Sequence, residues 1–243
     1  DSSMIICKNW TMFKKKITNW ARTVKLYPNE YVVPKTEEEL HDIINKAIKT
    51  KTPIKVCGKR HSYNDIFANH ENGILISLKK LNKILNVDTN NQTVTFQAGA
   101  STPQLLYRLK KYNLTIPNLG TNIMDNFIGA CSNGYHGSGE NYHIQSSYIQ
   151  SLTLITGNGK KITITHKDEL YKAIGVNIGA LGIITQVTIK CEPSFKLHLK
   201  TKRIDYNTFK KNISSLLSTN KHMKFIWAPH TSIYQLWEAN ETE

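Results

Sequence analysis

The hydrophobic and polar positions near the start of the chain follow first a helical and then a strand period. Thr36-Glu37-Glu38-Glu39 has the composition of a capping box. The apolar residues after it recur at helical spacing on one face, and they are Leu40, Ile43, Ile44, Ala47 and Ile48. Pro53 ends this helix, and Ile54–Cys57 predicts a short strand that leads into a loop at Gly58. A loop at the carboxyl end of such a strand is a usual place for a ligand.

Two pairs of apolar segments further along the chain are separated by turn residues. Asn90-Asn91 lies within the first pair and Gly157-Asn158-Gly159 within the second, so each pair predicts a hairpin. Thr102 is placed to cap a helix with Pro103 at its first position. The predicted strands are Ile74–Leu78, Ile84–Asp88, Thr93–Ala98, Ser151–Thr156, Lys161–Thr165, Ile183–Lys190 and Phe225–Trp227, and a last helix is predicted near Tyr206–Leu217. A strand–helix–strand start followed by hairpins predicts an α+β fold.

A segment rich in glycine and asparagine, from Asn118 to Asn141, has almost no helical or strand pattern. A loop that long inside a compact domain is usually functional. It is not a Rossmann fingerprint, because Gly137-x-Gly139 is followed by neither a third glycine nor a helix start. Ala130 stands where a nucleophile elbow needs glycine, and the lysine of a P-loop is missing. A bed for a flat or extended ligand and a purely structural glycine loop both remain open.

The loop Gly58–Ile66 combines features of a phosphate site. Glycine allows a tight turn, and the N–H groups after it can converge on an anion. Lys59 and Arg60 add positive charge, and Ser62 adds a hydroxyl donor. His61 does not belong to this pattern, and on the residues alone a surface or structural role is as good a reading.

Composition and charge limit the class of protein. The chain has 243 residues, of which 40% are hydrophobic and 21% charged, as in a soluble globular protein of one large or two small domains. The net charge of +14 fits an anionic partner or a general bias toward lysine. The lysines are spread along the chain without a basic helix or an aromatic RNA-binding signature, so nucleic acid is not an expected partner.

The remaining composition points to a soluble protein inside the cell. No apolar run reaches the ~18 residues that span a membrane, and the first residues hold too short an apolar stretch for a signal peptide. The cysteines form neither a CxxC pair nor a zinc pattern, which predicts reduced core residues and no metal site. They are Cys7, Cys57, Cys131 and Cys191.

Ordered segments along nearly the whole chain carry a family resemblance. They are Asn19–Thr23, Pro34–Leu40, Gly58–Ile66, Leu81–Leu85, Pro117–Gly120, His136–Gly139, Gly179–Gly182, Cys191–Phe195 and Phe225–His230. In these segments the chain resembles the aldonolactone oxidases, the family of L-gulonolactone and D-arabinono-1,4-lactone oxidase within the vanillyl-alcohol-oxidase/PCMH-type FAD proteins. The alditol and xylitol oxidases are related to it.

The resemblance implies a fold and an activity. It implies a PCMH-type FAD-binding domain of two α+β subdomains over residues 1–194, followed by the beginning of a substrate (cap) domain over residues 195–243. The activity it implies is oxidation of an alcohol carbon of a sugar 1,4-lactone or alditol. A hydride would pass to the flavin, and oxygen would then be reduced to hydrogen peroxide.

The resemblance also assigns roles to individual residues. His61 stands where the family joins an imidazole nitrogen covalently to the 8α-methyl group of the flavin. Gly120 stands where a small residue leaves room for oxygen, which implies an oxidase rather than a dehydrogenase. The cofactor-binding residues implied are Cys57, Gly58, Lys59, Arg60, His61, Ser62, Gly120, Thr121, Asn126, Gly129, Asn133, His136, Ile183 and Ile184.

Two departures from the family pattern matter. Family loops commonly carry glycine where Arg60 stands. Family members are also much longer, and their catalytic residues lie beyond the matched part, so no catalytic acid or base is predicted here. His230 and Trp227 are read as structural. The alternative is therefore a catalytically incomplete flavin-binding or structural protein, or one half of a split oxidase whose cap a second chain completes.

Overall fold

A computed structural model describes residues 15–69 and 72–243 of the chain. Cys7 and Trp10 lie outside the described residues. The strands are, in chain order, β1 Ile17–Thr18, β2 Lys25–Leu26, β3 Glu30–Val32, β4 Ile54–Val56, β5 Ile74–Ile76, β6 Ile84–Asp88, β7 Thr93–Gln97, β8 Leu114–Thr115, β9 Ile149–Ile155, β10 Lys161–Thr165, β11 Ile183–Lys190, β12 Glu192–Pro193, β13 Lys196–Arg203, β14 His222–Trp227 and β15 Tyr234–Thr242. The α-helices are α1 Glu37–Thr50, α2 Thr102–Leu109, α3 Phe127–Cys131 and α4 Tyr206–Thr219. The mixture of helices and strands confirms the predicted α+β class.

The first layer is a small parallel sheet in the order β3-β5-β4. Helix α1 connects β3 to β4, as the helical period predicts. The hydroxyl of Thr36 accepts from the N–H of Glu39 at 3.2 Å, which satisfies one free donor of the first turn. Leu40, Ile44 and Ala47 are buried, whereas Ile48 on the same face is 41% exposed.

The second layer is a five-stranded antiparallel sheet in the order β10-β9-β11-β7-β6. Both predicted hairpins, β6–β7 and β9–β10, are present. The sequence-distant strand β11 lies at the centre and pairs with β9 and β7. Phe96 on β7 and Phe127 on α3 meet edge to face at 5.4 Å between ring centroids, and both are fully buried. This contact ties the glycine-rich segment to the main core.

Helix α2 begins one residue earlier than predicted. Ser101, not Thr102, is its N-cap residue. The side-chain oxygen of Gln104 accepts from both the N–H and the hydroxyl of Ser101, at 3.0 and 2.9 Å. The Thr102 hydroxyl instead donates to the Asp125 carboxylate at 2.6 Å, within the buried interior. Adjacent hydroxyl residues can both cap, so the sequence alone did not separate them.

A second correction concerns the segment 118–141, which was predicted to lack regular structure. It contains the short helix α3, capped by the Asn126 side chain, which accepts from the N–H of Gly129 at 2.9 Å. Five residues that include a glycine carry too little periodicity to be recognised from sequence.

From Lys196 onward the chain forms a separate three-stranded antiparallel sheet in the order β13-β15-β14. Helix α4 packs on it through Phe209, whose ring stacks on Phe225 at 3.8 Å between centroids. Leu236 on the central strand is fully buried, while every residue of β13 is exposed. The predicted domain boundary between residues 194 and 195 remains a prediction.

Candidate functional site

A cleft of about 1230 Å³ is lined by residues of both the parallel and the five-stranded sheet. Its lining includes the loop 57–63, residues 126–133 around α3 and residues 178–184 leading into β11, together with residues of α1 and β4. Ile48 lines it as well, which explains why this residue of the apolar face of α1 is exposed. Single small-molecule pockets usually measure roughly 300–1,000 Å³, so this cleft suits a large, extended ligand.

The loop 58–63 has the backbone of an anion site. Among the described residues, none accepts a hydrogen bond from the backbone N–H groups of residues 58–63. Consecutive free amides of this kind bind phosphate oxygens. A Cβ at Gly58 would crowd Asn126, because it would lie 3.0 Å from the Cβ of that residue. The left-handed backbone of this loop lies at Arg60, with φ 60°. Glycine adopts that conformation without strain, and this accounts for its frequency at this position in the family.

The N-terminal hairpin β1–β2 holds this loop in place. The guanidinium of Arg60 donates through Nε to the Thr18 carbonyl at 2.9 Å, and the N–H of Trp20 donates to the Arg60 carbonyl at 2.8 Å. Arg60 was expected to add charge beside a phosphate. Its Nε–H fastens the loop to β1, while the residue also lines the cleft.

Asn19, in the turn of the hairpin β1–β2, hydrogen-bonds to the loop 58–63. Its side chain is 2% exposed. Its amide group donates to the carbonyl oxygens of Ser62 and Tyr63 at 3.1 and 3.4 Å and to the Thr23 hydroxyl at 2.9 Å. Its carbonyl oxygen accepts from the N–H of Val24 at 3.0 Å. One buried amide therefore joins the two turns.

The imidazole ring of His61 contacts the side chains of Trp20 and Asn122. Its ring stacks on Trp20, with 6.2 Å between centroids and 19° between planes. Its Nδ1 lies 3.2 Å from the amide nitrogen of Asn122. The sequence predicted His61 but not Asn122, since no local pattern connects residues so far apart in the chain.

Positive charge dominates the cleft. Its charged lining residues are Lys51, Lys55, Lys59, Arg60, Lys79 and Asp125, so basic groups outnumber acidic ones five to one. Burial raises the pKa of the Asp125 carboxyl, while the hydrogen bond from Thr102 and the charge of His61 oppose this rise. Such a surface favours a ligand with several negative charges.

Cysteine chemistry plays no part in the cleft. The three described cysteines, Cys57, Cys131 and Cys191, are free and buried, as predicted. Burial raises the pKa of the Cys57 thiol against the opposing charge of Arg60, and it raises the pKa of Cys191 to about 12. Neutral thiols are poor nucleophiles.

Asn126 lines the cleft, and its side chain hydrogen-bonds to the surrounding backbone. Its amide nitrogen donates to the carbonyl oxygens of Ala98 and Ala100, both at 3.1 Å, while its oxygen caps α3. Asn133 donates to the Gly129 carbonyl at 2.7 Å. These side chains are engaged with the protein, so their main contribution is to shape the wall.

Of the residues that the family resemblance implies, three lie apart from the main cleft. Those that line it are Cys57, Gly58, Lys59, Arg60, His61, Ser62, Asn126, Gly129, Asn133, Ile183 and Ile184. Thr121 and His136 are not part of its lining, and Thr121 contacts the Lys224 ammonium on β14. Gly120 lines a second cleft of about 370 Å³ against the three-stranded sheet. The roles of all fourteen remain predictions.

The ring of Tyr135 occupies the space next to the Cα of Gly120. A Cβ at Gly120 would come within 2.3 Å of the phenol end of that ring. The Tyr135 hydroxyl donates to the Asn122 carbonyl, so the ring cannot move without breaking a hydrogen bond. Burial raises the pKa of this phenol, and the Asp125 charge raises it further. Tyr135, like Asn122 and Asp125, was not singled out by the sequence.

This contact predicts the result of Gly120→Ala. We expect it to lower the free energy of unfolding by about 1–2 kcal/mol through overpacking against Tyr135. In a Tyr135→Ala background the same change should cost about 1 kcal/mol less. Urea unfolding of the four proteins measures this coupling. Additive effects would mean that the ring does not occupy the space beside Gly120.

Comparison with known proteins identifies the class. Residues 28–165 match the family described as FAD binding domain, and residues 187–243 match that of D-arabinono-1,4-lactone oxidase. The first match spans more than half of the chain, which therefore belongs to the FAD-binding-domain family, with FAD as its cofactor.

Individual relatives are named for the oxidation of aldonolactones. It is 32% identical over 226 residues to L-gulonolactone oxidase from Bos taurus, covering 90% of this chain and 51% of that protein. It is 28% identical over 230 residues to D-arabinono-1,4-lactone oxidase from Eremothecium gossypii, covering 92% and 43%. L-gulono-1,4-lactone dehydrogenase from Mycobacterium tuberculosis is 30% identical over 213 residues, covering 88% and 49%. The chain thus spans about half the length of these relatives.

Solved structures agree on the fold. A cholesterol oxidase from B. sterolicum superposes with a TM-score of 0.85 at 22% identity, covering 94% of this chain and 48% of that chain. An alkyldihydroxyacetonephosphate synthase superposes with a TM-score of 0.78 at 17% identity, covering 90% and 48%. The predicted PCMH-type fold is confirmed. Within the described part of the chain, no helix has the length and apolar character that crossing a bilayer requires.

Proposed function

We propose that this chain is the flavin-bearing part of an oxidase that acts on an alcohol carbon of a sugar 1,4-lactone or alditol, with oxygen as acceptor. The observation that carries this proposal is the single cleft on which the loop 58–63, α3 and the start of β11 meet. Its size and its basic lining suit FAD, and the relatives named for lactone oxidation suggest the substrate class.

The residues of the cleft fit the cofactor. The free N–H groups of residues 58–63 and the Lys59 ammonium are suited to the pyrophosphate. Ile183 and Ile184 offer an apolar border for the adenine side, next to the closely packed backbone at Gly182. Bound FAD supplies hydride acceptance, and the protein supplies position and electrostatics.

His61 is the residue proposed to hold the flavin covalently. The bond replaces an imidazole N–H and a C–H of the 8α-methyl group. Oxygen, the acceptor of the proposed activity, would take up the two electrons, and the two hydrogens would leave as protons. The stacking on Trp20 and the Asn122 contact limit the rotation of the imidazole, which favours a bond of defined geometry.

Acid precipitation tests the covalent bond. We expect wild-type protein loaded with FAD to give a yellow pellet and a colourless supernatant, because acid unfolds the protein but leaves the carbon–nitrogen bond intact. His61→Ala should give a colourless pellet and a yellow supernatant. Colour that leaves the wild-type protein would contradict the bond, and turnover of L-gulono-1,4-lactone tests the activity separately.

A second candidate function follows from the surface of the second unit. Strand β13 is exposed along its length, and Trp227 and Ile233 are 58% and 61% exposed. The unpaired backbone edge of β13 and the two exposed apolar side chains favour the alternative that the chain binds flavin but needs further polypeptide, in this or a second chain, for turnover. Lactone oxidation by the 243-residue chain alone would exclude it. Copurification of a second polypeptide, detected by intact mass, would support it.

A further inference from the structure

The side chain of Asn122 has a fixed orientation toward His61. Its Oδ1 accepts from the N–H of Met124 at 3.0 Å. The NH₂ end of the amide must therefore be the end that faces His61 Nδ1 at 3.2 Å. The assignment of amide oxygen and nitrogen is thus decided by hydrogen bonding.

The backbone of Asn122 is held as well. Its carbonyl accepts from the hydroxyl of Tyr135, whose ring packs against Gly120. The amide therefore presents a donor to His61 from a segment that is fixed at both its side chain and its backbone.

A donor at this position determines which ring nitrogen carries the proton. An amide NH₂ can only donate, so Nδ1 of His61 must accept, and the neutral ring must carry its proton on Nε2. Trp20 on the ring face and Asn122 at the ring edge together select one tautomer and one ring orientation.

We propose that Asn122 is a positioning residue for flavin attachment, which holds His61 with a proton-free Nδ1 and a protonated Nε2. The inference deepens the proposed function and rests on His61 as the attachment residue. A covalent bond needs an imidazole nitrogen with a lone pair, which in this tautomer is Nδ1. The bond would therefore form at Nδ1, once the incoming ligand displaces the hydrogen bond from Asn122, and a fixed tautomer presents this same nitrogen in every molecule. Partners of this kind fix histidine tautomers in metal sites, where their loss typically costs about 10–100-fold.

The test reads the tautomer in the FAD-free full chain by ¹⁵N NMR of histidine-labelled protein. The His61 signals are identified by their loss in His61→Gln. We expect wild-type His61 to carry its proton on Nε2. In Asn122→Asp the carboxylate accepts instead of donating, so Nδ1 should become protonated. Asn86→Ala, an exposed asparagine on β6, serves as the control and should leave the tautomer unchanged.

A second readout concerns attachment itself. On incubation with FAD, we expect Asn122→Asp to acquire acid-stable flavin about tenfold more slowly than the wild type. An unchanged Nε2–H tautomer in Asn122→Asp would overturn the inference, and so would an unchanged rate of attachment with Nδ1 protonated. If the tautomer changes but wild-type protein never acquires acid-stable flavin, the covalent bond proposed above fails. Asn122 then only sets the tautomer of His61.

Discussion

Asn19→Ala should lower the free energy of unfolding by about 3 kcal/mol and reduce the amount of flavin that the protein retains. The side chain is 2% exposed and joins the hairpin β1–β2 to the loop that carries His61. Its loss leaves the Ser62 carbonyl and the N–H of Val24 without their partner, and it leaves the Tyr63 carbonyl with only the Thr23 hydroxyl as a donor. Each buried group left unpaired costs roughly 1–3 kcal/mol, reduced here because water can reach part of the loop.

The effect on flavin has a separate physical cause. The Ser62 and Tyr63 carbonyls belong to the cleft-lining loop whose N–H groups have no acceptor among the described residues, so their anchoring limits the movement of those donors. An unanchored loop must be ordered when the ligand binds, and this entropy reduces the affinity. Each 1.4 kcal/mol of such cost lowers the affinity about tenfold.

Urea unfolding of the flavin-free protein measures the first effect, and flavin absorbance per mole of purified protein measures the second. Asn86→Ala removes an exposed asparagine from β6 and should change stability by no more than about 0.5 kcal/mol. A midpoint for Asn19→Ala equal to that of this control would mean that the hairpin does not support the loop.

The elements that the sequence predicted correctly are those with a strong local period. Helix α1 has a capping residue and a repeating apolar face, and the hairpins have glycine or asparagine turns between alternating strands. Capping residues, apolar faces and turn residues are close in sequence to the helix or hairpin that they specify, so one sequence is enough to recognise them. The loop from Gly58 to His61 was found for the same reason, because its turn and its charges are neighbours in sequence.

The contacts that shape the cleft are long-range and leave no local pattern. A Cβ at Gly58 would crowd Asn126, and the side chain of Asn122 lies within hydrogen-bonding distance of His61. Neither partner can be assigned from one sequence, since any of many asparagines could occupy such a place. The left-handed backbone at Arg60 was missed because arginine does not indicate it, although the usual family glycine does.

Gly182→Ala should be the most destabilising of the substitutions considered, at about 4 kcal/mol or more. Gly182 has φ 135°, a region that residues with a Cβ rarely adopt. A Cβ there would lie 2.3 Å from the Ile155 carbonyl oxygen and 3.0 Å from its carbon. The obstacle is backbone in strand β9, which cannot rotate away as a side chain could.

Gly179→Ala is the matched control, three positions earlier in the same loop. Gly179 has φ 78°, but a Cβ there would meet nothing within 4 Å. This variant bears only the strain of the left-handed backbone, roughly 1–2 kcal/mol. The difference between the two variants therefore contains the contact with β9 together with the greater backbone strain at φ 135°, and urea midpoints at equal slope measure it. Equal midpoints would show that the strand is free to shift.

The consequence of Gly182→Ala extends to the cleft because this glycine immediately precedes the pairing of Ile183 with Ile155. Both of these residues line the cleft. Moving β9 away from a new methyl group would separate it from the central strand β11 where the two strands form the cleft wall. We therefore expect Gly182→Ala to retain little flavin even at temperatures where it remains folded, whereas Gly179→Ala should retain flavin in proportion to its folded fraction. Normal flavin retention by folded Gly182→Ala protein would show that the cleft does not depend on this strand register.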